Sequence, residues 1–415
     1  MIRNTTTTTT DIASASEPEP TGELRLSDVM TLVLGRNPQL ASAKREIQAF
    51  EGRLRQSGVR RNPDLSFAAE NIGGNEATTG GMQSTLQLGQ LIELGGKRAA
   101  RVEIATAARD IAAADYNSRH LDIVTRATRA FIEVLAEQRR LELAEESVKL
   151  SAEMARTVGE RVSAGRVSPI EETRAEVAVA AEEIDRDRAR TELAAARIRL
   201  AALWGSSAPR FERVTGDLDV LPKVATLDVL AVRLERNPAL TRWNAEIAER
   251  EAALRLEDAR SVPDVTVGGG YRRFELGSNA FLVTAAIPLP LFDRNRGARE
   301  EARQRLEKAR EDRRAVQVQL QQSLAESYAA FSRADAEVRS VRDRVVPGAE
   351  SVYEAVTEGY RLGKFGYLEV LDARRTLAAA RAQLARAQAD LHRAYADLER
   401  LTGMPTNDMT NGSNE

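Results

Sequence analysis

The sequence predicts a mainly α-helical chain with a smaller β component, arranged as two copies of one structural unit. Three observations lead to this fold class: long segments without glycine or proline, two glycine-rich segments between them, and short motifs that occur twice at a nearly constant spacing. Acidic and basic side chains almost balance, at 62 against 60. This balance argues against a nucleic-acid-binding protein, which would carry a basic excess.

The first 22 residues are predicted to be disordered. They contain a run of threonines and lack the apolar core of an export signal. No later segment approaches the roughly 18 consecutive apolar residues that a membrane-spanning helix needs. Composition alone therefore favours a soluble helical protein, and the arrangement of the elements changes that interpretation.

Four segments without glycine or proline predict long helices: residues 97–158, 170–204, 298–346 and 367–402. A helix reaching from Gly96 to Gly165 would be roughly 100 Å long, a length typical of coiled coils. Apolar residues spaced by seven support this interpretation because they form a continuous seam along one helix face. The heptad series are Val370, Leu377, Leu384, Leu391 and Leu398 with Ala380, Ala387, Ala394 and Leu401; Leu324, Phe331, Val338, Val345 and Val352; and Val134, Leu141 and Val148.

Residues 63–95 and 263–292 each predict a β-hairpin. Both are rich in glycine and contain apolar residues in alternation, the pattern of a strand pair with a turn between. We expect strands of about 9 to 12 residues, which is the length of a tilted transmembrane strand. A soluble hairpin that caps a coiled coil would give the same pattern, so the strands alone leave both readings open.

Repeated motifs indicate an internal duplication. Arg36-Asn37-Pro38 and Pro63-Asp64 recur 200 positions later, whereas Gly165 and Leu203-Trp204-Gly205 match Gly363 and Leu401-Thr402-Gly403 at a spacing of 198. Each unit is predicted as helix, hairpin, long helix, tight turn and long helix. The predicted boundaries are a disordered segment 1–22, a first repeat 23–205, a linker 206–225, a second repeat 226–405 and a disordered tail 406–415.

Two hairpins per chain leave open strand edges, which a lipid environment does not tolerate. Three chains with four strands each would close a twelve-stranded barrel, an even number within the known range. Their helices would then form a second tube below the barrel. The sequence thus favours a homotrimer if the hairpins are membrane strands.

The chain resembles the outer-membrane efflux protein (TolC-like) family over residues 24 to 405, and within it the CzcC-like branch of heavy-metal efflux components. The specific signal is the ordered set of motifs, in duplicate. Besides the repeated motifs above, it comprises Ile92-Glu93-Leu94-Gly95-Gly96-Lys97-Arg98, Pro288-Leu289-Pro290-Leu291-Phe292-Asp293-Arg294-Asn295, Tyr360-Arg361-Leu362-Gly363 and Leu368-Glu369-Val370-Leu371-Asp372-Ala373.

This resemblance implies a homotrimeric duct with a barrel in the outer membrane and a helical tunnel in the periplasm. Its implied partners are a periplasmic adaptor protein, an inner-membrane RND-type pump and the lipid of the outer membrane, with heavy-metal cations as cargo. The family carries a signal peptide, and this sequence departs from that pattern. Alternatives are a duct for drugs or other organic solutes, and a soluble coiled-coil scaffold.

Catalytic and metal-binding chemistry is not indicated. The absence of cysteine excludes disulfides, thiolate metal sites, cysteine nucleophiles and a lipidated cysteine. The two histidines, His120 and His392, are too few for a histidine-based metal site and are interpreted as ordinary helix residues. No phosphate-binding loop or nucleophile motif is present. We therefore expect neither an enzyme nor a cofactor.

The candidate functional residues lie at the two helical turns. Glu369 and Asp372 are three residues apart on the helix after the second turn, so they share a face, and three copies around an axis would form a cation-selective acidic ring. The alternative is purely structural: acidic residues in the first turn of a helix interact favourably with the helix dipole, and this would give the same pattern. The resemblance implies that Glu369 and Asp372 line an aperture and that Tyr360 belongs to its closing network. It also implies adaptor docking at the tips, which comprise Gly165, Arg166, Val167 and Ser168 in the first repeat and Leu362, Gly363, Lys364 and Phe365 in the second.

Overall fold

The computed structural model describes residues 18–72, 81–275 and 277–403. The disorder predicted for residues 1–17 and for the tail 406–415 lies outside these ranges. The mainly helical class with a smaller β component is confirmed. None of the helices in the described residues has an apolar stretch long enough to cross a membrane.

Six strands and nine α-helices account for most of the described chain. In order they are β1 (Thr21–Arg25), α1 (Leu26–Arg36), α2 (Pro38–Ser57), β2 (Asp64–Glu70), β3 (Gln83–Ile92), α3 (Lys97–Ser163), α4 (Pro169–Ala201), β4 (Arg210–Thr215), α5 (Leu227–Arg233), α6 (Pro238–Arg260), β5 (Val265–Phe274), β6 (Asn279–Ala286), α7 (Arg296–Ser340), α8 (Val346–Arg361) and α9 (Tyr367–Thr402). Short 3₁₀ turns follow α4 and α5, and a π-helical turn, Val341–Val345, joins α7 to α8.

The longest helix, α3, has 67 residues and therefore extends roughly 100 Å. The predicted seam of α9 is mostly buried, with Val370, Leu391 and Leu398 at most 1% exposed. It packs with Leu324 and Phe331 of α7 around one core, whereas a separate core forms around α1, α3 and Trp204. Each repeat thus has its own apolar core along the long helices.

The heptad series predicted for α7 and α8 is wrong beyond Val338. Val345 and Val352 are 42% and 53% exposed, whereas Val341 and Ala349 are buried instead. The physical reason is Pro347, which lacks an amide hydrogen and crowds the preceding turn of a helix. The π-helical turn Val341–Val345 accommodates the proline by inserting an extra residue, which rotates the apolar face of the following helix.

A small parallel sheet was not foreseen from the sequence. Strand β1 pairs with β4, with Thr21 opposite Arg210 and Arg25 opposite Thr215. The pairing corrects two boundaries, because the strand begins inside the segment 1–22 predicted as disordered and β4 lies inside the predicted linker 206–225. Phe211 and Val214 of β4 are buried in the core of the first repeat, which gives the short sheet its packing.

The two hairpin segments form one four-stranded antiparallel sheet in the order β2-β3-β5-β6. Strand β3 of the first hairpin pairs along its whole length with β5 of the second, from Gln83 opposite Phe274 to Ile92 opposite Val265. The described strands β2 and β6, with 7 and 8 residues, are shorter than expected. Among the described residues, both outer strands have one edge without a strand beside it.

Arginines of α9 join the two repeats. Arg374 donates to Glu182 of α4 at 2.9 Å, and seven residues later Arg381 donates to Glu146 of α3 at 3.0 Å. Near the C-terminal end of α9, Arg393 pairs with Glu133 of α3 and Arg400 pairs with Asp122 of α3. Arg374 is the most buried of these, at 8% exposure, so its pairing constrains helix position more than the exposed pairs do.

A second junction lies where β3 continues into α3. The ammonium of Lys97 donates to Asp264 Oδ1 at 2.5 Å and to the carbonyl oxygen of Val262 at 2.7 Å. The same Asp264 oxygen accepts the backbone amide of Leu94 at 3.0 Å. Lys97 is 9% exposed and Asp264 is half-buried, so this contact fixes the end of the first hairpin to the start of the second in a partly buried site.

The repeated Arg-Asn-Pro motif has the same structural role in both repeats. Asn37 caps α2 by accepting the amides of Gln39 and Leu40 at 2.9 and 3.2 Å, and it donates to the carbonyl oxygen of Leu203 at 2.7 Å. Asn237 likewise caps α6 and donates to the carbonyl oxygen of Leu401 at 2.9 Å. Each asparagine therefore fixes the start of one helix to the end of another.

Replacing Asn37 by Ala is expected to lower the free energy of unfolding by about 2 kcal/mol, because a helix cap is lost and a backbone carbonyl loses its donor. Asn237→Ala should have a similar effect. The measurement is the urea midpoint of the detergent-solubilised protein by circular dichroism. The control is Asn117→Ala on the exposed face of α3, which should leave the midpoint unchanged. Equal midpoints for all three variants would contradict the assigned role.

Candidate functional site

The four-stranded sheet has two chemically different faces. The register places Phe67, Leu86, Tyr271 and Phe281 in one row across all four strands. These side chains are 69%, 50%, 41% and 89% exposed, so the row is an open apolar band. The next row on this face adds Leu65, Leu88 and Val283, at 70%, 53% and 92% exposure.

The opposite face of the sheet is polar and internally hydrogen-bonded. Gln87 donates to Thr284 Oγ1 at 2.7 Å, and Arg272 donates to Thr85 Oγ1 at 2.9 Å. Ser66 lies on the same face, opposite Gln87. A sheet with one open apolar face and one polar face can separate a lipid phase from an aqueous one, whereas a soluble sheet would cover its apolar face.

The second helical turn, between α8 and α9, forms a tight tip. Gly363 has φ of 75°, and the amides of Gly363 and Lys364 donate to the carbonyl oxygens of Tyr360 and Gly359 at 3.0 and 2.8 Å. This pair of hydrogen bonds is a Schellman motif, and its left-handed residue explains the glycine. Leu362, Gly363, Lys364 and Phe365 are all exposed.

The first turn, between α3 and α4, has the same geometry. Gly165 has φ of 68°, and the amides of Gly165 and Arg166 donate to the carbonyl oxygens of Val162 and Arg161 at 2.8 and 2.9 Å. Ser168 caps α4 by accepting the amide of Ile170, and Pro169 occupies the first helical position. Gly165, Arg166 and Ser168 are exposed and Val167 is half-buried.

Glu369 and Asp372 are exposed in the first two turns of α9. A Cβ built on Gly366 would lie 2.8 Å from Glu369 Oε2, so this carboxylate folds back over the start of the helix. The matching positions of the first repeat, 198 residues earlier, are Glu171 and Arg174. The second tip therefore has an acid, Asp372, where the first tip has a base, Arg174.

Tyr360 is buried, whereas Glu369 and Asp372 are exposed. It is 3% exposed and packs with Val158 and Tyr367 in a small core between the two helical turns. The guanidinium carbon of Arg161 lies 4.4 Å from the centre of its ring, and Arg161 Nη1 donates to the carbonyl oxygen of Tyr360 at 3.2 Å. Burial raises the pKa of Tyr367 beside it. This cation–π contact joins the tip of the first repeat to that of the second.

Arg161 is the tip residue that the sequence reasoning missed. An arginine in the last turn of a helix is common because its charge interacts favourably with the helix dipole. Nothing in the sequence therefore distinguishes Arg161 from other arginines at helix ends. Phe365 packs against Gly359 of α8, where a Cβ would lie 2.2 Å from its ring. The aromatic ring therefore stabilises the turn within one tip rather than pairing across tips.

Among the described residues, no cluster of histidine, aspartate and glutamate has the geometry of a metal site. His392 is 1% exposed and its Nε2 lies 3.2 Å from the carbonyl oxygen of Leu218. Burial lowers the pKa of this imidazole. A groove of about 420 Å³ lies between α3, α4 and α9, and its most buried charged side chain, Arg374, already pairs with Glu182.

Comparisons with known proteins agree with this architecture. Residues 29–206 and 229–404 match the family model described as outer membrane efflux protein. The cobalt-zinc-cadmium resistance protein CzcC of Cupriavidus metallidurans is 36% identical over 363 residues, which are 87% of this chain and 86% of that protein. The nickel-cobalt-cadmium resistance protein NccC of Alcaligenes xylosoxydans xylosoxydans is 29% identical over 252 residues, 59% of this chain and 56% of that protein.

Solved structures share the fold at low sequence identity. CusC aligns with a TM-score of 0.78 at 18% identity, over 94% of this chain and 96% of its own. The outer membrane protein VceC of Vibrio cholerae aligns with a TM-score of 0.75 at 20% identity, over 91% of this chain and 96% of its own. The chain belongs to the outer membrane efflux protein family, whose channels form trimers and work within tripartite efflux systems.

Proposed function

We propose that this chain is the outer-membrane duct of a tripartite efflux system that exports heavy-metal cations. The observation that carries the proposal is the sheet, whose apolar face is open and whose polar face is hydrogen-bonded, at one end of long helices, of which α3 extends roughly 100 Å. The cargo follows from the relative CzcC, which is a cobalt-zinc-cadmium resistance protein.

Three copies would place twelve strands in one closed barrel, with the apolar band towards lipid and the polar face towards the lumen. The long helices would continue this barrel as a periplasmic tunnel. Partners in this arrangement are a periplasmic adaptor and an inner-membrane RND-type pump. The chain then needs no catalytic group, because the energy for transport comes from the pump.

The two helical tips are the proposed contacts with the adaptor. Their exposed residues are held by matching Schellman turns, which present two similar surfaces per chain. Glu369 and Asp372 are proposed to line the aperture at the second tip, where their carboxylates would attract cations and repel anions. Tyr360 would act indirectly, by holding the two tips together through Arg161.

The test is metal export by a strain that lacks this chain. We expect higher cellular cobalt, zinc and cadmium in the deletion strain, measured by mass spectrometry, and a return to the parental level when the chain is restored. The purified protein should require detergent and have the mass of a trimer. A monodisperse monomer without detergent would contradict the duct and favour the soluble scaffold.

The cargo is tested separately. An organic dye supplied to the same strains distinguishes a metal duct from a duct for organic solutes. Increased dye retention together with unchanged metal content would overturn the metal assignment and leave the duct itself in place.

A further inference from the structure

The junction between the two hairpins within one chain suggests how two chains meet. Lys97 is the first residue of α3 and reaches Asp264, which immediately precedes β5. The contact joins the end of one hairpin to the beginning of the next, at the point where β3 and β5 run side by side. It is thus a contact between consecutive hairpins around the sheet.

The internal repeat supplies a second set of the same positions. Arg296 is the first residue of α7, as Lys97 is of α3, and both follow a left-handed residue, Asn295 with φ of 57° and Gly96 with φ of 81°. Asp64 begins β2 and is the counterpart of Asp264 in the repeated Pro-Asp motif. Arg296 and Asp64 are therefore the repeat equivalents of the Lys97–Asp264 pair.

These two residues cannot meet within one chain in the way that their equivalents do. Arg296 follows β6 and Asp64 begins β2, and β6 and β2 are the two outer strands of the sheet. Both side chains are exposed, and neither forms an ion pair with another described residue. Their charges are complementary, as those of Lys97 and Asp264 are.

We propose that Arg296 of one copy pairs with Asp64 of the partner subunit when β6 of the first copy lies beside β2 of the second. The occupant of each open sheet edge is thus a second copy of this chain. The inference rests on the proposed trimer and deepens it, because it names the contact that would set the register between copies.

The junction between copies must be wider than the one within the chain. Gly95 lies so close to the second repeat that a Cβ there would be 2.9 Å from the carbonyl oxygen of Ala259. The equivalent of Gly95 is Arg294, whose side chain requires more room. The longer guanidinium of Arg296, in place of the Lys97 ammonium, suits this wider gap and can bind a carboxylate through two hydrogen bonds.

A charge exchange tests the pair. Asp64→Arg and Arg296→Asp should each accelerate subunit exchange between labelled trimers about tenfold, because an attractive contact becomes repulsive. The double variant should return the rate close to that of the parent. As a control, Asp64→Arg combined with Arg294→Asp should exchange subunits as fast as Asp64→Arg alone. A double variant as fast as the single variants would overturn the pair.

Crosslinking supplies a second measurement that does not depend on stability. Because the chain has no cysteine, Asp64→Cys combined with Arg296→Cys introduces only two thiols. A short bismaleimide should convert this variant into covalent dimers and trimers, and should leave either single variant monomeric on a denaturing gel. Absence of crosslinks in a protein that native mass spectrometry shows to be trimeric would overturn the pair. A parent that is not trimeric would instead contradict the proposed function.

Discussion

Replacing Lys97 by Met is expected to lower the free energy of unfolding by about 3 kcal/mol, because the carboxylate of Asp264 would remain partly buried without its partner. Methionine keeps the unbranched apolar stem of lysine and lacks only its terminal ammonium, so the loss of stability reports the contribution of the ammonium. The Lys97 side chain is 11% exposed and that of Asp264 is 24% exposed. The measurement is urea unfolding of the detergent-solubilised protein, followed by circular dichroism.

The matched control is Lys149→Met, at an exposed position of α3. Surface substitutions of this kind usually change stability by less than about 0.5 kcal/mol. Adding Asp264→Asn to Lys97→Met should cost less than the sum of the single effects, because both remove the same interaction. Additive costs would show that the two residues act independently and would contradict the assigned contact between Lys97 and Asp264.

The same pair predicts a dependence on pH. Burial alone would raise the pKa of Asp264, but the hydrogen bonds from Lys97 and from the Leu94 amide outweigh it and leave the pKa below its ordinary value. A carboxylate with a lowered native pKa stabilises the fold above its ordinary pKa and loses this contribution as the pH falls through the native value. Acid destabilisation in that window should therefore be smaller in Lys97→Met than in the parent.

Much of the fold follows from local signals in the sequence. The absence of glycine and proline over residues 97–158 corresponds to α3, and the motifs Arg36-Asn37-Pro38 and Arg236-Asn237-Pro238 correspond to caps at equivalent helices. Both signals depend on backbone chemistry within a few residues. The same reasoning misplaced the seam beyond Val338, because the disruption caused by Pro347 lies several residues before the proline itself.

Contacts between distant segments could not be predicted in this way. Strands β1 and β4 are separated by almost 200 residues, and each is too short to show a clear alternating pattern. The arginines of α9 resemble an ordinary solvated helix face, yet Arg374 is nearly buried against Glu182. At the tips, the turns and the exposed acids were predictable, whereas the burial of Tyr360 beneath Arg161 depends on packing between repeats.

Removing both tip carboxylates, Glu369→Ala with Asp372→Ala, is expected to raise the single-channel conductance severalfold and to reduce the preference for cations. In the proposed trimer, six carboxylates would surround one opening, and such a ring concentrates cations and narrows the passage. The measurement is made in planar bilayers with a potassium chloride gradient. The reversal potential should move towards zero in the double variant.

The matched control removes two acids from α4, away from the tip. Glu183 and Asp187 are exposed and one turn apart, and at 1.5 Å per residue they lie roughly 20 to 27 Å from the start of that helix. Their double alanine variant should keep the parental conductance and selectivity. If Glu369 and Asp372 only favour the dipole of α9, the tip variant should lose about 1 kcal/mol of stability without a change in conductance or reversal potential. That result would remove both residues from the aperture and leave them as helix-start acids, which is the alternative that their spacing alone allows.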